Sequence, residues 1–122
     1  MNELLSTAIE AAQNAGQLIR ENFGSTLVVN EMKKHDIKLE LDVRSQQLIT
    51  DTLLNRFPDH AILGEEGDAT GTGPIEWIVD PIDGTVNYFF GIPHFCVSIA
   101  ARDKQTKEKL VGVILDPMQD EL

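Results

Sequence analysis

The chain contains a single cysteine, so it cannot close an internal disulfide. That usage suits a reducing compartment, and a cytoplasmic protein is the expectation. No apolar run approaches the roughly 18 residues that a membrane-spanning helix needs. The opening Met1-Asn2-Glu3-Leu4-Leu5 lacks the basic segment of a secretory signal. Positive charge is scarce: 10 Lys and Arg stand against 20 Asp and Glu, for a net charge of −10. This balance argues against nucleic acid or an anionic membrane as a partner, because both need a basic face. Histidine is also rare, and the spacing of His35, His60 and His94 matches no zinc site. The glycines near 71–73 are not a nucleotide-binding P-loop, since no GxxxxGK follows.

Apolar residues make up 42% and charged residues 25%, a composition that folds. At 122 residues the chain is one domain's worth, with a modest core. Leu5, Ala8, Ile9, Ala12, Ala15 and Ile19 recur at three and four, which predicts a helix over 2–23 that Gly24 stops. Leu27-Val28-Val29 and 37–41 alternate like strands, with 33–36 as the loop between them. A second helix is expected to follow Asp42, with Val43, Leu48, Ile49, Leu53, Leu54 and Phe57 apolar, and to be ended by Pro58. Strands follow near 61–64 and 76–80, separated by a small-residue loop at 69–74 that reads as mobile. A short helix near 84–90 leads to strands near 95–103 and 109–115. Trp77, Phe95 and Cys96 read as core, the cysteine as a buried thiol without nucleophilic character.

Two strand ends carry acids. Trp77-Ile78-Val79 runs into Asp80-Pro81-Ile82-Asp83-Gly84-Thr85-Val86-Asn87, and Ala61-Ile62-Leu63 runs into Gly64-Glu65-Glu66-Gly67. Either alone would be an ordinary turn, because Asp and Gly favour turns. Together they bring carboxylates to one edge of a sheet, where like charges repel unless a cation lies between them. Carboxylate oxygens are what Mg²⁺ prefers, commonly together with substrate phosphate. The Gly-Thr pair opens a helix whose free N–H groups suit an anion.

On these two motifs, on Pro93-His94-Phe95-Cys96-Val97-Ser98-Ile99-Ala100 and on the tail Gly112-Val113-Ile114-Leu115-Asp116-Pro117, the chain resembles the inositol monophosphatase family. The resemblance spans nearly all of it and corresponds to the N-terminal half of a member. It implies an α/β layered fold, with two long helices packed on a mainly antiparallel sheet and both acidic turns at one end. It also implies a single domain, 1–122, that is the N-terminal part of a longer phosphatase. The implied activity is Mg²⁺-dependent hydrolysis of a small phosphomonoester, with two or three ions and inositol or a sugar phosphate as substrate. Phosphatases for nucleotide bisphosphates or fructose bisphosphate, or a truncated binding or assembly domain, are the alternatives. The implied metal ligands are Glu65, Asp80, the backbone oxygen of Ile82 and Asp83. Glu65, Asp83, Gly84 and Thr85 would face the substrate, with the N–H groups of Gly84 and Thr85 on its phosphate. Asp42 and Thr85 would orient the attacking water, and Asp42 could equally cap the second helix. Glu66 would support its neighbour. Many members have threonine where this chain has Leu39. As a partial sheet the chain is expected to pair with another copy or with the missing C-terminal half.

Overall fold

The computed structural model describes residues 3–24, 29–33, 36–64, 69–71 and 73–118. The side chains of 30–33, 36–38, 69, 70 and 86 are outside that description. In chain order the elements are α1 (Glu3–Glu21), β1 (Val29–Lys33), β2 (Asp36–Leu39), α2 (Glu40–Arg56), β3 (Ala61–Gly64), β4 (Ala69–Thr70), β5 (Ile75–Asp83), α3 (Thr85–Phe89), β6 (Cys96–Asp103) and β7 (Lys109–Leu115). β1 and β2 form an antiparallel hairpin, and the other five strands form one sheet in the order β4-β3-β5-β6-β7. Only β3 and β5 run parallel; the remaining neighbours are antiparallel. The expected α/β layering of two helices on a mainly antiparallel sheet is therefore present.

α1 is built for close approach. Ala8, Ala11, Ala12, Ala15 and Ile19 are buried in one stripe, and small side chains let the helix lie low on the sheet. A Cβ on Gly16 would come 2.7 Å from Leu115 Cδ2, so α1 nearly touches β7 there. Leu5, assigned to the apolar stripe by its spacing, is 38% exposed. The stripe drifts around the helix because 3.6 residues per turn does not match a strict three-and-four repeat. Gly24 has φ +81°, the left-handed geometry that ends a helix.

α2 starts at Glu40, ahead of Asp42 rather than after it, so Leu41 is helical rather than a strand residue. Its buried face is Leu41, Asp42, Ser45, Ile49 and Leu53, while Val43 is exposed. The hairpin before it turns more tightly than expected: β2 begins and ends earlier than 37–41, and Lys33 and Asp36 pair as strand residues instead of forming the loop. The earlier strand prediction at Leu27 and Val28 lies outside the described residues.

The sheet is two-faced. Trp77, Val79, Val97, Ile99, Ala101, Val113 and Leu115 alternate toward α1 and α2 and form the core. The opposite face carries no helix among the described residues. There Ile78, Ala100 and Gly112 lie in register, as do Asp80, Ser98 and Ile114, the last 63% exposed. Glu76 is buried on this side and paired by Arg102 at 2.8 Å, which offsets the cost of a buried carboxylate. In the expected 69–74 loop, Ala69 and Thr70 instead form β4, and Gly73 lies close against the backbone of Asp59 and Gly71 against that of His60. Among the described residues no helix is long and apolar enough to cross a membrane.

His60 is fixed where β3 begins. Trp77 Nε1–H donates to His60 Nδ1 at 3.0 Å, and the imidazole stacks on Phe57 with centroids 4.5 Å apart. The bond requires neutral imidazole at Nδ1, and burial lowers the His60 pKa from 6.5, against a raising effect of Asp59. A base whose folded pKa is depressed stabilises the fold above its unfolded pKa and loses that contribution as pH falls. The urea midpoint is therefore expected to drop as pH falls below 6.5, with a change in the emission of Trp77, the only tryptophan. His60→Gln keeps an acceptor and cannot titrate, so its midpoint should fall less between pH 7.5 and 5.5. Equal losses in both proteins would contradict this assignment.

Candidate metal centre

The end of β5 carries two carboxylates on one face for a reason that spacing alone does not reveal. Residues three apart in a regular strand point to opposite faces. Here Asp80 pairs with Ser98 and Asp83 with Cys96, so β5 advances three residues while β6 advances two. The extra residue is a β-bulge, which restores Asp83 to the face that Asp80 occupies. Pro81 stands in the bulge, where no ladder hydrogen bond is required of its nitrogen. Pro81 and Ile82 are both buried, and Ile82 anchors the turn in the core. Asp83 is exposed, and Asp80 Oδ1 is shielded from solvent.

Electrostatics report the same convergence. Cys96 Sγ lies 3.9 Å from Asp83 Oδ2. Its thiol pKa is raised by burial first, then by the charges of Asp83, Asp80 and Asp116. Three carboxylates therefore act on one point at the sheet edge. Asp116 was not singled out from sequence as a contributor; the available signal was a second Asp-Pro at a strand end. The cysteine corrects an expectation. It is half-buried on the helix-free face rather than in the core, because Val97, Ile99 and Ala101 take the core positions of β6. A thiol held protonated is neither a nucleophile nor a good ligand, which leaves oxygen donors.

Gly84 follows with φ +103°, and its Cβ position lies 2.9 Å from His94 O. Only glycine suits that turn. Thr85 Oγ1 then donates to Ile82 O at 2.9 Å and lies 3.4 Å from Asp42 Oδ1. Asp42 Oδ2 accepts the Leu39 N–H at 2.9 Å. Asp42 is thus inside the first turn of α2, not before it, and it caps from the third helical position back to Leu39. Leucine has no side-chain acceptor to reciprocate. One carboxylate oxygen of Asp42 caps α2, and the other meets the Thr85 hydroxyl.

Glu65 and Glu66 lie outside the described residues. What is described is the parallel register of β3 on β5, with Gly64 opposite Val79, so β3 ends level with the residue before Asp80. Among the described residues no group of three or more His, Cys, Asp or Glu side chains is arranged to hold a metal ion. Asp80, Asp83 and the Ile82 carbonyl form an all-oxygen donor set, one member shielded from water, and that chemistry fits a hard divalent cation. Between α1 and α2 lies an open groove lined by Glu10, Asp51, Thr52 and Asn55. It holds none of these groups.

The inositol monophosphatase family model matches residues 1–122. The chain is 39% identical to Nus factor SuhB of Escherichia coli K12, covering all of this chain and 46% of that protein. It is also 39% identical to inositol monophosphatase 2 of Solanum lycopersicum, covering 48% of that protein. Among solved structures, the extragenic suppressor protein suhB of Bartonella henselae superposes with a TM-score of 0.90 at 30% identity, over 98% of this chain and 47% of that one. The chain spans about half the length of the curated relatives it matches. With the family model matching residues 1–122 and the fold in agreement, the chain belongs to the inositol monophosphatase family.

Proposed function

We propose that the chain supplies the metal-binding and water-orienting half of a Mg²⁺-dependent phosphomonoesterase acting on a small inositol or sugar phosphate. The observation that carries this reading is the bulge that sets Asp80 and Asp83 on one face, with the Thr85 hydroxyl bonded to the Ile82 carbonyl within it and 3.4 Å from Asp42. Asp80, Asp83, the Ile82 carbonyl and Glu65 would hold two or three Mg²⁺ ions. Bound there, Mg²⁺ would lower the pKa of a water and neutralise phosphate charge. Thr85 Oγ1 would orient that water, with Asp42 accepting its proton. The N–H groups of Gly84 and Thr85 would meet the phosphate oxygens, and Asp83 and Glu65 would face the substrate.

The net charge of −10 supports a reading without nucleic acid or anionic membrane as partners, in a cytoplasmic setting. The helix-free sheet face and the open edge of β7 suit association with another copy or with a counterpart of the relatives' C-terminal half. A second reading, a binding or assembly domain without turnover, is favoured by the relatives that are named Nus factor rather than phosphatase.

The test is phosphate release by the chain continued to its relatives' length. Inositol 1-phosphate, a sugar phosphate and a nucleotide phosphate are the substrates, each with and without Mg²⁺. Turnover should need Mg²⁺ and be highest on inositol 1-phosphate. Thr85→Ala should lower kcat by about 10²-fold with little change in KM, because an oriented proton matters in the transition state. The 122 residues alone should be nearly inactive. Absence of Mg²⁺-dependent turnover on all three substrates would move the weight to the second reading.

A further inference from the structure

Helix α3 is a single turn of five residues, too short to hold its shape unaided. Yet it carries Thr85 and fixes the exit of the acidic bulge. Tyr88 supplies the missing restraint. Its N–H closes the turn on Gly84 O at 3.0 Å. Its phenol O–H crosses to the C-terminal turn of α1 and donates to Ile19 O at 2.6 Å, with the residue 1% exposed. The ring meets Phe95 edge-on at 4.8 Å and Phe23 at 5.6 Å. The segment beyond is laced to the same turn: Gly91 N–H donates to Tyr88 O, Ile92 N–H to Asn87 O, and Asn87 Nδ2 to His94 O. Asp42, on the far side of Thr85, is close enough to help raise the Tyr88 pKa to about 12, after the larger effect of burial.

We infer that the Tyr88 hydroxyl is a positioning group. By tying α3 to α1 it sets where Thr85 Oγ1 stands relative to Asp42 and to the carboxylates of the bulge. Its catalytic meaning rests on the reading of Asp42 and Thr85 as the water-orienting pair; the anchoring itself does not.

The first experiment is amide exchange in the 122-residue chain, without metal or phosphate, on wild type, Tyr88→Phe and Phe23→Leu. Tyr88→Phe keeps the ring and removes one buried hydrogen bond, so exchange at Tyr88, Phe89, Gly91 and Ile92 should quicken roughly tenfold. Exchange at Ile49 and Ile99, in the centres of α2 and β6, should not change. Phe23→Leu, which keeps the hydroxyl, should loosen the turn less. Unchanged exchange in the turn, equal loosening by Phe23→Leu, or uniform loss across the chain would each overturn the inference. So would failure of Tyr88→Phe to fold, which would make the bond a general structural one.

In the chain continued to its relatives' length, Tyr88→Phe should lower kcat about tenfold with KM nearly unchanged. A loss carried by KM alone would overturn the positioning role even if the exchange result holds. If wild type shows no turnover, the functional reading fails and the exchange result alone decides the anchoring.

Discussion

Asp80→Asn is expected to abolish most of the response of this protein to Mg²⁺. At an ion concentration tenfold above Kd, linkage stabilises the folded state by about 1.4 kcal/mol. For a chain of this size that is a rise of about 5 °C in Tm. Asparagine preserves the shape of the side chain and its place in the register opposite Ser98, so the fold should persist. The charge that attracts the cation is gone, and most of the thermal shift should go with it. In the chain continued to its relatives' length, turnover should fall on the order of 10³-fold, the scale of losing a cation's charge stabilisation in the transition state. A thermal shift of equal size in wild type and Asp80→Asn would show that the ion binds elsewhere.

Gly84→Ala is expected to be among the most destabilising single-methyl changes in the chain. The φ of +103° strains any residue with a Cβ, and the added carbon would sit 2.9 Å from His94 O and 3.2 Å from Phe95 Cα. These are backbone atoms and cannot swing aside. The cost should be about 2–3 kcal/mol, or about 10 °C in Tm. Gly24→Ala is the control: φ is +81° but nothing among the described residues lies within 4 Å, so the loss should be smaller. Comparable denaturation midpoints for the two variants would mean that the turn after Asp83 is not held as described.

Much of this was legible in the sequence because it depends on local chemistry. The helices follow from apolar spacing, and most of the strand spans from alternation and turn residues, whereas β4 fell inside the expected loop and the order of strands in the sheet was not read. The acids after β3 and in β5 could be seen as two strand ends, and the parallel register of those strands sets the end of β3 level with Val79, one residue before Asp80. What could not be read depends on pairing across the sheet. Asp80 and Asp83 are three apart, and alternation alone would have separated them. Only the partner strand, advancing two residues for three, shows that they share a face. Cys96 was misplaced because its segment is apolar throughout, and its face is decided by register with Asp83. Asp42 was expected to precede α2; the helix instead begins at Glu40, since the carboxylate can cap from within the first turn. Asp116 and Tyr88 act through contacts distant in sequence; only the Asp-Pro at the end of β7 marked the first, and no local pattern marks the second. The predicted ligand Glu65 lies outside the described residues.

The central claim is that a divalent cation binds at the end of β5, and paramagnetic broadening by Mn²⁺ tests it most directly. In a ¹⁵N-labelled sample of the 122-residue chain, substoichiometric Mn²⁺ should first broaden the amides of Asp80, Ile82, Asp83, Gly84 and Thr85, together with Gly64 and Cys96. Excess Mg²⁺ should reverse the effect by competition. Broadening that begins instead at Glu10 and Asp51 in the groove between the helices, or that spreads over the acidic surface without preference, would contradict the account.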